Sequence, residues 1–152
     1  MPGYLLDTNA ISILAPSPQA QNTPSSAAAS FRAWVRDHDG QLFLSTITLA
    51  EIQAGISRLE RKGSARRAAA LGRWLSAILE LYDSRTLPFT SPVALETGRL
   101  LVRASGAGAD PGFEDAAIAA TAAVHNLAVV TANTRHFQHF DVPLISPSSV
   151  SP

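Results

Sequence analysis

The sequence predicts an α/β protein: a parallel central sheet covered by helices on both faces. Three observations lead there. Short apolar runs at Tyr4–Leu6, Leu42–Leu44 and Leu127–Val130 have the length of buried strands. Stretches with apolar residues at helical spacing separate them. That alternation of strand and helix is the pattern of parallel strands joined by crossover helices.

The elements follow in order. After Tyr4–Leu6, Thr8 or Asn9 can cap a helix running to about Leu14. Residues 16–26 are rich in Pro, Ser, Gln and Asn and read as a loop. Phe31, Trp34 and Val35 mark a helix ending near Asp39-Gly40, and Leu42–Leu44 is the second strand. Thr48 opens a helix to about Glu60, which Lys62-Gly63 breaks. Ser64 caps a longer one carrying Leu71, Trp74, Leu75, Ile78 and Leu81. Leu87-Pro88-Phe89 is a short edge strand, where a proline is tolerated. Ser91-Pro92 is a cap followed by proline in the first helical position, and that helix runs to about Ala104 before Gly106–Gly108. Asp110-Pro111 opens another to His125-Asn126. Leu127–Val130 and Leu144-Ile145 complete the sheet. One domain over residues 1–146 is expected, with residues 147–152 fraying.

Composition narrows the classes of function. The 152 residues carry 12 Lys and Arg against 12 Asp and Glu, so no global field draws in a polyanion. Arg58, Arg61, Lys62, Arg66, Arg67 and Arg73 make half of the basic residues, and read as a solvated helix face or a ridge that touches phosphates. With no cysteine there is no disulfide and no thiolate metal site. No apolar run reaches bilayer length, and Met1-Pro2-Gly3-Tyr4 lacks the basic segment of a signal peptide, so a cytoplasmic protein is expected.

Four segments put a carboxylate or its amide where strand and helix meet: Leu5-Leu6-Asp7-Thr8-Asn9, Ser45–Glu51, Phe113–Ala120 and Val130–Thr134. In open α/β sheets ligands bind outside the carboxyl ends of the strands, so acids gathered there make a hard-cation site. Each acid also has a local explanation. Asp7 can cap the helix after it; Thr48-x-x-Glu51 matches a capping box; Asp115 and Glu114 sit where a helix dipole welcomes negative charge.

In order and spacing the four segments resemble the PIN-domain nucleases, and more narrowly the VapC and FitB toxins of bacterial toxin–antitoxin pairs. The resemblance spans nearly the whole chain. It implies a PIN fold and an endoribonuclease using Mg²⁺ or Mn²⁺. By motif position Asp7, Glu51 and Asp115 match the family's acidic residues, and Asn133 falls where many members carry a fourth Asp. Asp7 and Asp115 would then ligate the cation, with Glu51 holding a water or acting as base. Asn133 would offer an amide oxygen or orient a water. Its neutrality leaves open whether one or two cations bind. A homodimer, an RNA substrate and an antitoxin partner are also implied.

Weaker candidates surround these. Thr8, Asn9 and Thr131 can support the acids from behind. Arg99 and Arg103, at i and i+4, can reach phosphate, or Arg99 can simply pair with Glu96. His136 and His139 are surface residues unless His136 lines the substrate path. The apolar residues Ile11, Ile13 and Leu14, then Phe31, Trp34 and Val35, then Leu71, Trp74, Leu75 and Ile78 exceed the needs of one sheet face and point to an interface. Two rival readings remain. A PIN-like scaffold can bind RNA or protein without cutting. An aspartyl-phosphate phosphatase or receiver domain would also end a strand in Asp, but Asn9 stands where the phosphatase needs a second Asp.

Overall fold

The computed structural model describes residues 2–17 and 26–150. Five parallel strands form one sheet in the order β3-β2-β1-β4-β5: β1 (Gly3–Leu6), β2 (Leu42–Ser45), β3 (Thr86–Leu87), β4 (Leu127–Val130) and β5 (Leu144–Ile145). In β1, Leu5 lies opposite Phe43 on one side and Val129 on the other, and Leu6 lies opposite Val130. Seven α-helices cover the sheet: α1 (Thr8–Ile11), α2 (Ser26–Asp37), α3 (Thr46–Arg61), α4 (Ala65–Leu81), α5 (Ser91–Gly106), α6 (Phe113–His125) and α7 (Thr134–Phe137).

Strand alternation divides the core in two. Leu6, Leu42, Leu44 and Val130 point to one face, where Ile11, Phe31, Trp34, Ile52, Ile56, Leu75 and Ile78 from α1–α4 cover them. Leu5, Leu127 and Val129 point to the other, against Val93 and Leu100 of α5, the alanines of α6, Phe137 and Phe140. Helix α6 is buried from Ala116 to Ala122 because it is apolar on every side. Its small side chains let α5 and the sheet approach closely.

Several element boundaries differ from the sequence reading, each for a local reason. Ser45, not Thr48, caps α3: its hydroxyl accepts from the Ile47 N–H at 3.0 Å. Thr48 is therefore an interior, fully buried residue and no capping box forms. Thr90 replaces Ser91 as the cap of α5, accepting from Val93 N–H, and Pro92 moves to the second helical position. Helix α6 opens at Phe113 rather than at Asp110-Pro111, because the Gly112 carbonyl accepts its first helical bond from Ala116. Gly63 turns the α3–α4 corner at φ +84°, a conformation that favours glycine. Asn126 closes α6 in the left-handed conformation.

Two larger expectations are corrected. The tail does not fray from residue 147: Pro147–Ser149 form a 3₁₀ turn with Pro147 buried, and Val150 packs on the α1–α4 cluster. Residues 151–152 lie outside the described residues, as do residues 18–25 of the expected loop. The apolar faces of α1, α2 and α4 are also not an exposed patch. Ile11, Phe31, Trp34, Leu75 and Ile78 are core, while Ile13, Leu14, Val35, Leu71 and Trp74 are partly buried against it. Trp34 stacks on His38 and meets Tyr4 edge-on. Exposed apolar side chains occur instead on α5, at Leu95 and Val102, and at the end of α4, at Leu79 and Leu81. Among the described residues no helix is long and apolar enough to cross a membrane.

Phe31→Ala should cost about 3–5 kcal/mol, because it empties a site with no solvent access. Val102→Ala, on the exposed face of α5, should stay within about 0.5 kcal/mol. Urea unfolding of the two variants checks the pair.

Candidate active site at the carboxyl edge of the sheet

The strand order reverses direction beside β1: β2 and β3 lie on one side of it, β4 and β5 on the other. The crevice beyond the carboxyl ends of β1 and β4 is thus the topological switch point. Asp7 leaves β1 there with 3% of its surface exposed. Its backbone N–H still pairs with Val130 O at 2.9 Å, so the strand holds the residue in place.

The Asp7 carboxylate is held by three donors. Thr8 N–H donates to Oδ1 at 2.8 Å; the Thr131 hydroxyl at 2.8 Å and the Asn9 amide at 3.0 Å both donate to Oδ2. Asn9 in turn accepts from Ala132 N–H at 2.8 Å, and Thr131 accepts from Asn133 N–H at 3.0 Å. The loops after β1 and β4 are thereby locked together through one acid. Asp7 is both a helix cap and a site residue.

Glu51, freed from the capping role, reaches across from α3. Its Oε1 accepts from the Thr8 hydroxyl at 2.7 Å. Asp115, in the first turn of α6, pairs through Oδ2 with His136 Nδ1 at 3.3 Å. Burial raises all three carboxyls above their ordinary values of 3.8 and 4.5, and neighbouring acids add to the rise, while His136 opposes it at Asp115. Asp7 feels Asp115; Glu51 feels Asp7, Asp115 and Glu114.

Asp7, Glu51 and Asp115 are therefore brought to one place, with Thr8, Asn9, Thr131 and His136 against them. Other candidates are elsewhere. Asn133 is exposed, and its side chain makes no capping bond to α7. Arg99 pairs with Glu96 at 3.0 Å on the surface of α5, and Arg103 is exposed. The six basic residues at the α3–α4 corner are all exposed. Glu114, which loads the acidic centre, was read from sequence only as a charge suited to the helix dipole, and Arg135, beside His136, was not singled out. An acidic pair in the first turn of α6 was the available sign of the first; nothing flagged the second.

Among the described residues, no three Asp, Glu or His side chains are grouped closely enough to hold a metal ion by themselves. The donor set nonetheless fits a hard cation. It consists of oxygens, is acidic beyond what its protein partners neutralise, and is open enough to leave water on the ion, as Mg²⁺ requires.

Residues 4–143 match the family model of the PIN domain. This chain belongs to the PIN-domain family. It is 33% identical over 145 residues to Toxin FitB of Neisseria gonorrhoeae, covering 94% of this chain and 96% of that protein. It is 31% identical over 147 residues to VapC ribonuclease Y4jK of Sinorhizobium fredii, at the same coverage. The crystal structure of FitAcB from Neisseria gonorrhoeae superposes with a TM-score of 0.80 at 32% identity, covering 97% of this chain and 99% of that one. The structure of FitAB bound to an IR36 DNA fragment superposes with a TM-score of 0.74 at 29% identity, covering 98% of each chain.

The raised carboxyls give a pH dependence with a definite sign. The folded protein holds these protons more tightly than the unfolded chain, so their stabilisation is present below the ordinary carboxylate range and is lost as pH rises through the raised values. In EDTA, the melting temperature should rise as pH falls from 7 toward 5, and Asp115→Asn should flatten that slope. The asparagine variants also separate. Asp115 has one partner and tolerates an amide, whereas an amide at position 7 must aim an N–H at either Thr8 N–H or the Asn9 amide. Asp7→Asn should be less stable than Asp115→Asn by about 1–3 kcal/mol at neutral pH. Thermal and urea unfolding without metal measure both effects.

Proposed function

We propose that this chain is a divalent-metal-dependent endoribonuclease, the toxin of a toxin–antitoxin pair, acting on RNA in the cytoplasm. The observation that carries the reading is the convergence of Asp7, Glu51 and Asp115 at the switch point, each destabilised as an anion by burial and by its neighbours. Such a cluster is a liability in a structural role and an asset in one that recruits a cation. The similarity to a VapC ribonuclease points the same way.

Asp7 and Asp115 would hold the cation, Mg²⁺ or Mn²⁺, with Glu51 beside it. When bound, the cation would lower the pKa of a water and offset charge on the phosphate. The chain's own residues do the rest. Thr131 and Asn9 hold Asp7 in one orientation, so no reorganisation is needed when substrate arrives. Glu51 has Oε1 committed to Thr8 and Oε2 available to take a proton from the attacking water. Its raised pKa makes it a better base near neutral pH than an ordinary glutamate. His136 keeps Asp115 turned toward the site. Asn133 is neutral where a fourth carboxylate would add charge, which favours one cation over two.

Purified protein should cleave single-stranded or loop RNA with Mg²⁺ or Mn²⁺ and stop in EDTA. Asp115→Asn should remove activity, and Thr131→Ala should lower it about 10–100-fold through loss of Asp7 orientation. Undiminished cleavage in excess EDTA would overturn the metal mechanism.

The partner protein has a place to bind. A cavity of about 400 Å³ lies between α1, α3 and α4, lined by Ile52, Ile56, Leu59, Leu71 and Trp74 together with Glu51 and Arg67. It suits an amphipathic antitoxin segment that extends a basic side chain toward Glu51. Leu95 and Val102, seven residues apart on the exposed face of α5, would join two copies of the chain. Trp74→Ala should weaken binding of the protein encoded next to this one at least tenfold by calorimetry while leaving RNA cleavage in place. Light scattering should give a dimer.

A further inference from the structure

Asp115 also lines a second cavity, about 240 Å³ in volume. Its wall combines Asp110, Pro111 and Gly112 from the segment before α6 with Arg135, His136 and His139 from the α7 region, and Asp115 itself closes one side. His136 is tied to Asp115, but among the described residues Asp110 and Arg135 make no ion pair or side-chain hydrogen bond. Neither charge is used by the fold, and neither is used by the chemistry above.

The composition distinguishes possible occupants. A phosphate would face two carboxylates against one guanidinium, so this is not an anion site. The volume lies below the roughly 300–1,000 Å³ that drug-sized ligands occupy, which suits a single flat group. A base splayed out of a single strand has an apolar face, donors and acceptors along its edges, and a preference for stacking on imidazole or guanidinium planes. Pro111 and Gly112 offer the apolar face, the two imidazoles offer rings, and the two free charges offer edge contacts. A carboxylate only accepts. Guanine alone among the four bases presents two adjacent N–H donors on its pairing edge, with acceptors at O6 and N7 for a guanidinium.

We infer that this cavity is a nucleobase subsite that selects guanine beside the scissile phosphate, with Asp110 accepting from the guanine N1–H and N2–H groups and Arg135 donating to its acceptor edge. The inference rests on the RNA-cleaving reading and names what that reading leaves open, the sequence preference. Because Asp115 belongs both to the cavity wall and to the acidic centre, a base held here leaves its own phosphate next to the reacting site.

The test uses the full chain carrying Glu51→Gln, in EDTA, so that binding is read without cleavage. Fluorescence anisotropy would follow labelled single-stranded hexamers holding one guanosine, or inosine or adenosine in its place. Guanosine should bind about tenfold more tightly than inosine, which lacks the N2 amino group. Adding Asp110→Asn should bring that ratio close to one. Arg135→Ala should weaken guanosine and inosine alike, leaving the ratio in place. Asp110 is exposed, so an isosteric amide there should melt with the parent. Equal binding of guanosine and inosine, no binding at all, or a ratio that survives Asp110→Asn would overturn the subsite. Guanosine-selective binding without cleavage by the wild-type chain in Mn²⁺ would instead overturn the nuclease reading and leave the subsite standing.

Discussion

The structure turns on a buried carboxylate at the end of its central strand. Asp7 is almost without solvent, and a buried charge is costly unless hydrogen bonds replace the lost water. Three donors do so, from the start of α1 and from the loop after β4. Satisfying that one acid therefore sets the spacing of the β1 and β4 loops. Asn9 repeats the link by accepting from Ala132 N–H. The crevice has little freedom to widen or close, which is the preorganisation that a site for charge chemistry needs.

Glu51 and Asp115 join this rigid point from two other helices, on opposite faces of the sheet. Neither is as fully held. Glu51 depends on a single hydroxyl and Asp115 on an exposed imidazole. The result is a gradient: one acid is immobile, and two can adjust around a ligand. All three prefer to be protonated more than isolated carboxylates do, so the fold carries electrostatic strain that a bound cation would relieve under the proposed function.

The two cavities beside the acids differ in chemistry. The one between α1, α3 and α4 is mostly apolar, with Glu51 in its lining; the one beside α6 and α7 gathers Asp110, Asp115, Arg135 and two imidazoles. Under the proposed function, a protein segment would fill the first and an RNA base the second, and a segment that projects a basic side chain toward Glu51 would compete at the carboxylates.

Much of this was legible in the sequence. The strands at Tyr4–Leu6, Leu42–Leu44 and Leu127–Val130 could be read because buried parallel strands are continuous apolar runs, and Asp7 stood out because a charge directly after such a run has no local structural purpose beyond a cap. The four segments, taken together, also carried the family. Glu51 shows the limit. Thr48-x-x-Glu51 satisfies the capping pattern, yet Ser45 lies three residues earlier and wins, and only the packing of α3 against α1 shows the glutamate meeting Thr8. The apolar face of α2 misled for a related reason, since periodicity records which residues avoid water and not whether core or partner covers them. Locally Asp110 reads as a helix cap and His139 as a surface residue, and Arg135 carries no pattern at all. They meet only because the segment before α6 and the helix after β4 converge on one edge of the sheet, a proximity set by strand order. Local chemistry determined the strands and the acids; which acids meet, and what surrounds them, was decided by contacts between residues as far apart as 7 and 131, which no window along the chain contains.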